Sequence, residues 1–369
     1  MTTHPSVRVL AASIRANVPV ILWGNPGIGK TKQIELWGSE WGYHVETVVG
    51  SNREAVDFLG FPADRDGVTG YLSFAWAENL RNALKGLLFL DELTTAVLSV
   101  QKAMLRVLQE RYVGDTKLPD TVSIVAAANS PDVAVDGWEL AGPVANRLIH
   151  IDWYFDADEW REGLVSGFEF ATAPDLLEIL SPQPRLVAAR SMVAAFLNSR
   201  PDLINPGPPK DPILVGRGWP SPRSWTNFST VAAHLREDDQ DALMIAAIGC
   251  VGEGAGREFI AWFMTSDLYN TDEVLDDPSI VDWTVRPDRI YALVLSLASV
   301  ARMRGDTKTW TKAAAAMASC ASHGRPDLAY PGMRQLMQAK PDDARISPAV
   351  TAAFGDLFVS TGRWSADVA

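Results

Sequence analysis

The eight residues Gly24-Asn25-Pro26-Gly27-Ile28-Gly29-Lys30-Thr31 constrain this chain more than any other stretch. They read GxxxxGK[ST], follow an apolar run from Val18 to Trp23, and precede a helix expected over Lys32 to Trp41. A strand, a glycine-rich loop and a helix in that order make a phosphate-binding turn. Gly24, Gly27 and Gly29 lack Cβ atoms, so the backbone can curl closely and aim its N–H groups at phosphate oxygens. The helix that follows adds the positive end of its dipole. Lys30 is placed to reach the β- and γ-phosphates, and the Thr31 hydroxyl to take a Mg²⁺ position.

A second chemical element lies at Leu87-Leu88-Phe89-Leu90-Asp91-Glu92. Four apolar residues ending in two acids describe a buried parallel strand whose carboxyl end opens into a cleft. Asp91 there would hold Mg²⁺ through water, and Glu92 would polarise the water that attacks the γ-phosphate. Val122 to Ala128 reads as another buried strand ending at Asn129. A doubly wound sheet puts that amide beside the two acids, although Asn129 also suits a turn before Ser130-Pro131. In the segment GPVANRLIHI, Arg147 precedes a last strand over Leu148 to Ile151. It can project into a neighbouring subunit and neutralise transition-state charge, or serve as a surface arginine in a local ion pair.

Between these motifs, Val7 to Arg15 and Phe74 to Leu84 have helical spacing, and Tyr43 to Val49 reads as a second strand ending in Gly50-Ser51-Asn52. Leu59 to Gly70 is a turn-rich passage. Thr94 to Arg111 carries a helical stripe, and Tyr112 to Pro119, centred on Gly114-Asp115, reads as a short hairpin.

Composition narrows the partners. The 369 residues are 47% hydrophobic, enough for a substantial core in two or three domains, and the net charge is −12. That balance, without a run of Lys and Arg, argues against a dedicated nucleic-acid binder. Cys250 and Cys320 fall in helix-like apolar stretches and read as buried small hydrophobes. The five histidines show no ligand spacing for zinc. With no run of eighteen apolar residues and no signal-peptide pattern, the chain is expected to be cytoplasmic and not to enter a membrane.

From Asp156 onward strand patterns give way to helical ones. Arg185 to Leu197 is followed by a Pro- and Gly-rich connection, Pro201 to Pro220. Ser221-Pro222-Arg223 then opens a helix, with Ser as cap and Pro at the first position. A positive charge at a helix start is electrostatically misplaced, so Arg223 either faces a nearby anion or only solvates the helix start; Arg217 is its rival. Ala242 to Arg363 offers about five further helices, and Val251 to Gly256 reads as a helix–helix turn.

Taken together, GNPGIGKT, LLFLDEL, ERYVGDTKLP, VSIVAAANS, the Arg147 segment and SPRSW resemble, in content and order, the MoxR branch of the AAA+ ATPases, an AAA_5-type member of the helix-2-insert clade. The resemblance spans residues 5 to about 236. It implies an α/β P-loop NTPase core with a five-stranded parallel sheet over residues 1–153. A helical lid over 154–240, with Arg223 as sensor 2, and a C-terminal helical region over 241–369 are expected to follow. It further implies a ring, usually a hexamer, and two insertions facing its pore, near Phe61 to Trp76 and near Tyr112 to Leu118. The family commonly has Asp-Arg-Phe where this chain has Asn146-Arg147-Leu148.

The expected activity is Mg²⁺-dependent ATP hydrolysis that remodels or helps assemble a protein client. The resemblance adds a von Willebrand factor A-domain protein as a partner. Two other readings use the same residues: a nucleotide-switched scaffold with incidental turnover, and a nucleic-acid motor, which the acidic balance disfavours.

Overall fold

The computed structural model describes residues 4–129, 140–168, 182–265, 269–284 and 286–360. The Ser130-Pro131 turn and residues 361–363 of the last helical stretch lie outside them.

Helix α1 (Pro5–Arg15) begins on a proline, and the His4 ring accepts from the Ser6 amide at 3.3 Å. The buried strand β1 (Val20–Trp23) leads into the glycine-rich loop and α2 (Lys30–Glu40) leaves it. Next come β2 (His44–Val49), the single turn α3 (Val56–Leu59) and a hairpin of β3 (Phe61–Arg65) and β4 (Val68–Leu72). They are followed by α4 (Ala75–Asn82), β5 (Gly86–Asp91) and α5 (Leu98–Glu110). A second, shorter hairpin of β6 (Tyr112–Val113) and β7 (Thr116–Lys117) precedes β8 (Val122–Ala128). Then α6 (Gly142–Ala145), β9 (Ile149–Asp152) and α7 (Ala157–Ser166) follow.

Five of these strands form one parallel sheet in the order β2-β5-β8-β1-β9. The fold is therefore an α/β P-loop core with a five-stranded parallel sheet. Every residue of β8 is buried, as are Leu87 to Leu90 of β5. This is why both strands read as unbroken apolar runs and not as alternating ones. Each fully buried Leu or Phe stabilises the sheet by roughly 2 kcal/mol. From β1 the chain crosses to β2 at one edge, whereas from β8 it crosses β1 to reach β9 at the other. The direction of winding thus reverses beside β1, and open α/β sheets take their ligands at such a point, outside the strands' carboxyl ends.

The described helices beyond α7 are α8 (Pro182–Ser199), α9 (Pro212–Val215), α10 (Pro222–Ala232), α11 (Gln240–Val251) and α12 (Glu253–Thr265). They continue with α13 (Thr271–Asp276), α14 (Pro287–Arg304), α15 (Thr307–Ser322), α16 (Pro326–Gln338) and α17 (Pro348–Ser360). By packing the chain makes two compact units. One holds Met1–Ser181 and Leu203–Ile260, and the other Pro182–Asp202 and Ala261–Ala369. The first contains the sheet. The second is helical among its described residues, and its core gathers Trp310, Met317, Leu293 and Met333, with the Trp310 indole donating to the Leu336 carbonyl at 2.9 Å.

Three local readings change. The helix expected from Thr94 starts at Leu98, because Glu92 adopts a left-handed φ of 54° and the chain turns until Val97. The turn-rich passage at Leu59 to Gly70 contains the β3–β4 hairpin. Seven helices, not five, lie between Gln240 and Ser360 among the described residues. Gly252 separates α11 from α12, and the six-residue α13 is set by its Asn270 cap and is too short for apolar periodicity to reveal.

The two hairpins meet backbone to backbone. Gly114 N–H donates to the Phe58 carbonyl at 3.2 Å and Asp115 N–H to the Tyr71 carbonyl at 3.1 Å. The Asp115 carboxylate accepts from the Tyr71 amide at 2.7 Å. Gly60 has φ 88°, and a Cβ there would lie 2.6 Å from the Gly114 Cα, so neither a side chain nor an ordinary backbone fits the contact.

Candidate nucleotide site

The loop between β1 and α2 has the conformation its glycines allow. Gly27 and Gly29 have φ of 80° and 90°. Gly29 is also the residue that caps α2, and no side chain bonds to the helix's first amides. Those N–H groups therefore point into the loop, which suits an anion. Lys30 is buried, and its ammonium donates to the carbonyls of Gly24 at 2.7 Å and Asn25 at 3.0 Å. Burial lowers its pKa, and Asp91 acts in the opposite direction.

Facing the loop, β5 delivers Asp91 and Glu92. The Thr31 hydroxyl donates to Asp91 Oδ2 at 2.5 Å, and Asp91 Oδ1 accepts from the Glu92 amide at 2.9 Å. A hydroxyl and a carboxylate converging from segments 60 residues apart are hard oxygen donors of the kind Mg²⁺ takes, with phosphate oxygens and water completing the shell. Among the described residues no cluster of three or more His, Cys, Asp or Glu could hold a metal alone. The donor set fits a metal brought in with a phosphate ligand.

Glu92 follows the strand on a left-handed turn, and its carboxylate accepts a short hydrogen bond from the Ser51 hydroxyl. Ser51 lies just past the carboxyl end of β2, the strand next to β5. Nothing in the local sequence marks this serine. A polar residue at the end of a strand predicted to adjoin the acidic one is the only signal that could have found it.

Asn129 directly follows β8 and is half-buried. The Ala128 carbonyl accepts from Gly24 N–H at 3.2 Å, and the Ala127 carbonyl accepts from Leu93 N–H at 2.9 Å. Asn129 thus stands at the strand end bonded on one side to the phosphate loop and on the other to the turn after Asp91-Glu92.

The arginines are held differently. Arg147 lies against α5, donating to Gln109 Oε1 at 2.5 Å and to the Pro143 carbonyl, while its Nε has no partner among the described residues. Burial, and then the positive charge of Arg223, lower its pKa. Arg223 is exposed in the first turn of α10. Arg217, the rival, is engaged elsewhere. It pairs with Asp152 at 2.9 Å and sits 4.3 Å above the ring of Trp23, the residue before Gly24. The Trp23 indole in turn donates to Nδ1 of the fully buried His150 at 2.9 Å, which leaves Nε2–H to donate to the Ala145 carbonyl at 3.0 Å. All the predicted site residues fall within the sheet-bearing unit. The structure brings Lys30, Thr31, Asp91 and Glu92 together, with Asn129 at the adjacent strand end, and ties Asn146, next to Arg147, to Ser221, two residues before Arg223.

Cys250 and Cys320 are buried, and burial raises both thiols, Cys320 to about 12. No helix among the described residues is long and apolar enough to cross a membrane.

A family model for the sigma-54 interaction domain matches residues 74–136. That stretch begins just before α4 and includes Asp91, Glu92 and Asn129, and over it the chain is similar to an AAA+ domain. Among solved structures the chain is similar to a “putative ATPase” from Cytophaga hutchinsonii, at 16% identity with a TM-score of 0.45, over 70% of this chain and 87% of that one.

Proposed function

We propose that this chain is a MoxR-like AAA+ ATPase that works as a ring, usually a hexamer, and remodels or helps assemble a protein client. The observation that carries this reading is the Thr31–Asp91 bond of 2.5 Å, which closes the phosphate loop onto the acidic strand end. The loop amides and Lys30 bind the phosphates. Thr31 and Asp91 hold Mg²⁺, which supplies charge neutralisation at the phosphate oxygens. Glu92 takes a proton from the water that bonds to the γ-phosphorus as the bond to ADP breaks, releasing phosphate. Asn129 orients that water or contacts the γ-phosphate. Arg147 reaches the nucleotide of the adjoining subunit, and Arg223 is the lid arginine. Phosphoryl transfer to water requires placement and charge neutralisation, and this residue set offers both.

The two hairpins are the insertions facing the pore, and a von Willebrand factor A-domain protein is the partner the resemblance suggests. A second reading, the nucleotide-switched scaffold, draws on the Ser51 bond that keeps Glu92 occupied. Steady-state turnover separates the two. Glu92→Gln is expected to bind Mg·ATP as the parent does and to lose turnover by about a thousandfold. Parent protein that binds Mg·ATP but does not hydrolyse it, with or without a client, favours the scaffold. Failure to bind any nucleotide triphosphate removes both readings.

A further inference from the structure

Asn146 stands where the resemblance leads one to expect an aspartate, and its surroundings say why an amide is needed. It is 5% exposed, and it caps the end of α6 immediately before Arg147. Its Nδ2 donates to the Trp219 carbonyl at 3.1 Å, and its Oδ1 accepts from the Ser221 hydroxyl at 2.8 Å. A carboxamide donates and accepts through one planar group of this size without any change of protonation. A carboxylate would face the Trp219 carbonyl without a proton to offer, at a buried position where that repulsion is little screened.

Both partners belong to the entry of α10. Ser221 caps that helix, accepting from Ser224 N–H at 3.1 Å, while the Ser224 hydroxyl accepts from Ser221 N–H at 2.8 Å and donates to the Trp219 carbonyl at 2.9 Å. This reciprocal box fixes the first turn of the helix, and Arg223 lies in that turn. The buried amide therefore joins two segments 75 residues apart, each carrying one arginine of the candidate site. The positive charge of Arg223 is felt at Arg147, whose guanidinium donates to neutral groups, Gln109 Oε1 and the Pro143 carbonyl. Like charges held together in this way need a rigid support and gain from an anion placed between them.

We propose that Asn146 is a positioning residue that locks Arg147 and Arg223 into one unit serving a single phosphate group. This rests on the hydrolytic reading above, and it goes beyond it by making the two arginines interdependent. Arg217, tied to Asp152 and Trp23 beside the chain's own phosphate loop, stands outside the unit.

The test uses the full chain with Mg·ATP. Asn146→Asp, which keeps the side-chain shape, is expected to lower kcat about tenfold with KM within about twofold, because nucleotide binding does not pass through the arginines. Adding it to Arg223→Ala is expected to cost nothing further, since the unit is already broken. A full multiplicative loss in the double variant, or kcat unchanged in Asn146→Asp, overturns the proposal. Amide hydrogen exchange on the same proteins provides a readout independent of turnover. Protection is expected to fall together over 142–148 and 219–226; a fall in only one segment refutes the coupling. If the parent protein does not hydrolyse nucleotide, the hydrolytic reading fails and the exchange experiment alone decides whether Asn146 couples the segments. Asn146→Ser, compared by thermal melting, controls for simple unfolding.

Discussion

Eight consecutive residues make the loop end of the candidate site, whereas its arginine end is assembled from segments 75 residues apart. The loop end is shaped by backbone: glycines at positive φ and the uncapped amides of α2. The arginine end is shaped by side chains, through the amide of Asn146 and the hydroxyls of Ser221 and Ser224. A backbone cradle is specified wherever its short sequence is written. A side-chain scaffold exists only once the surrounding fold has formed, and it can be disturbed without disturbing the loop. The two ends should accordingly fail in different ways.

The largest expected contrast is between binding and turnover. Lys30→Ala is expected to abolish nucleotide binding, while Arg147→Ala keeps it and loses turnover by roughly 10³-fold. Mixing the two inactive proteins is expected to restore part of the activity if Arg147 works across a subunit boundary. Calorimetric titration and turnover at several mixing ratios check this, and no recovery at any ratio would count against action between subunits.

A smaller effect tests how firmly the loop end is supported from behind. His150 accepts from the Trp23 indole only when neutral, and burial lowers its pKa to about 4. Unfolded, the ring titrates near 6.5, so between those values the unfolded chain holds more protons. The stability contributed is full above about pH 6.5 and declines as pH falls toward 4, by up to about 3 kcal/mol. His150→Gln, which can still accept from Trp23 and donate to Ala145, is expected to flatten that slope. Urea melts at pH 7.5 and 5 read it; an unchanged slope would assign the acid sensitivity to other groups.

The smallest effect concerns Ser51. Releasing Glu92 by Ser51→Ala is expected to raise basal turnover severalfold, in line with the loss of one charge-assisted hydrogen bond. A fall in turnover would instead make Ser51 part of the productive geometry.

This contrast also sets what could be read before the fold was known. The phosphate loop and the acidic strand end were legible because each is a contiguous pattern whose period and terminal residues have direct physical meaning. The single strands were legible as apolar runs, whereas their union in one five-stranded parallel sheet was what the resemblance implied. Ser51 was not legible, since a serine in a Gly-Ser-Asn turn has no local signature for a partner 41 residues away. Nor could spacing tell Arg217 from Arg223. Arg217 lies near the end of the Pro- and Gly-rich connection and Arg223 just past it, and the pairing of Arg217 with Asp152 and Trp23 separates them. The late start of α5 was hidden for a related reason. Its apolar stripe continues through Thr94, and the turn is imposed by the backbone at Glu92.

The bare-backbone contact between Gly60 and Gly114 has a mechanical consequence. With no side chains to act as cushions, a load applied at the tip of one hairpin passes directly to the other. Gly114 is joined through β6 to the end of α5, the helix that starts six residues beyond Glu92 and also braces Arg147 through Gln109. On the hydrolytic reading proposed above, a pull on either hairpin would be felt through α5 at the turn that carries Glu92.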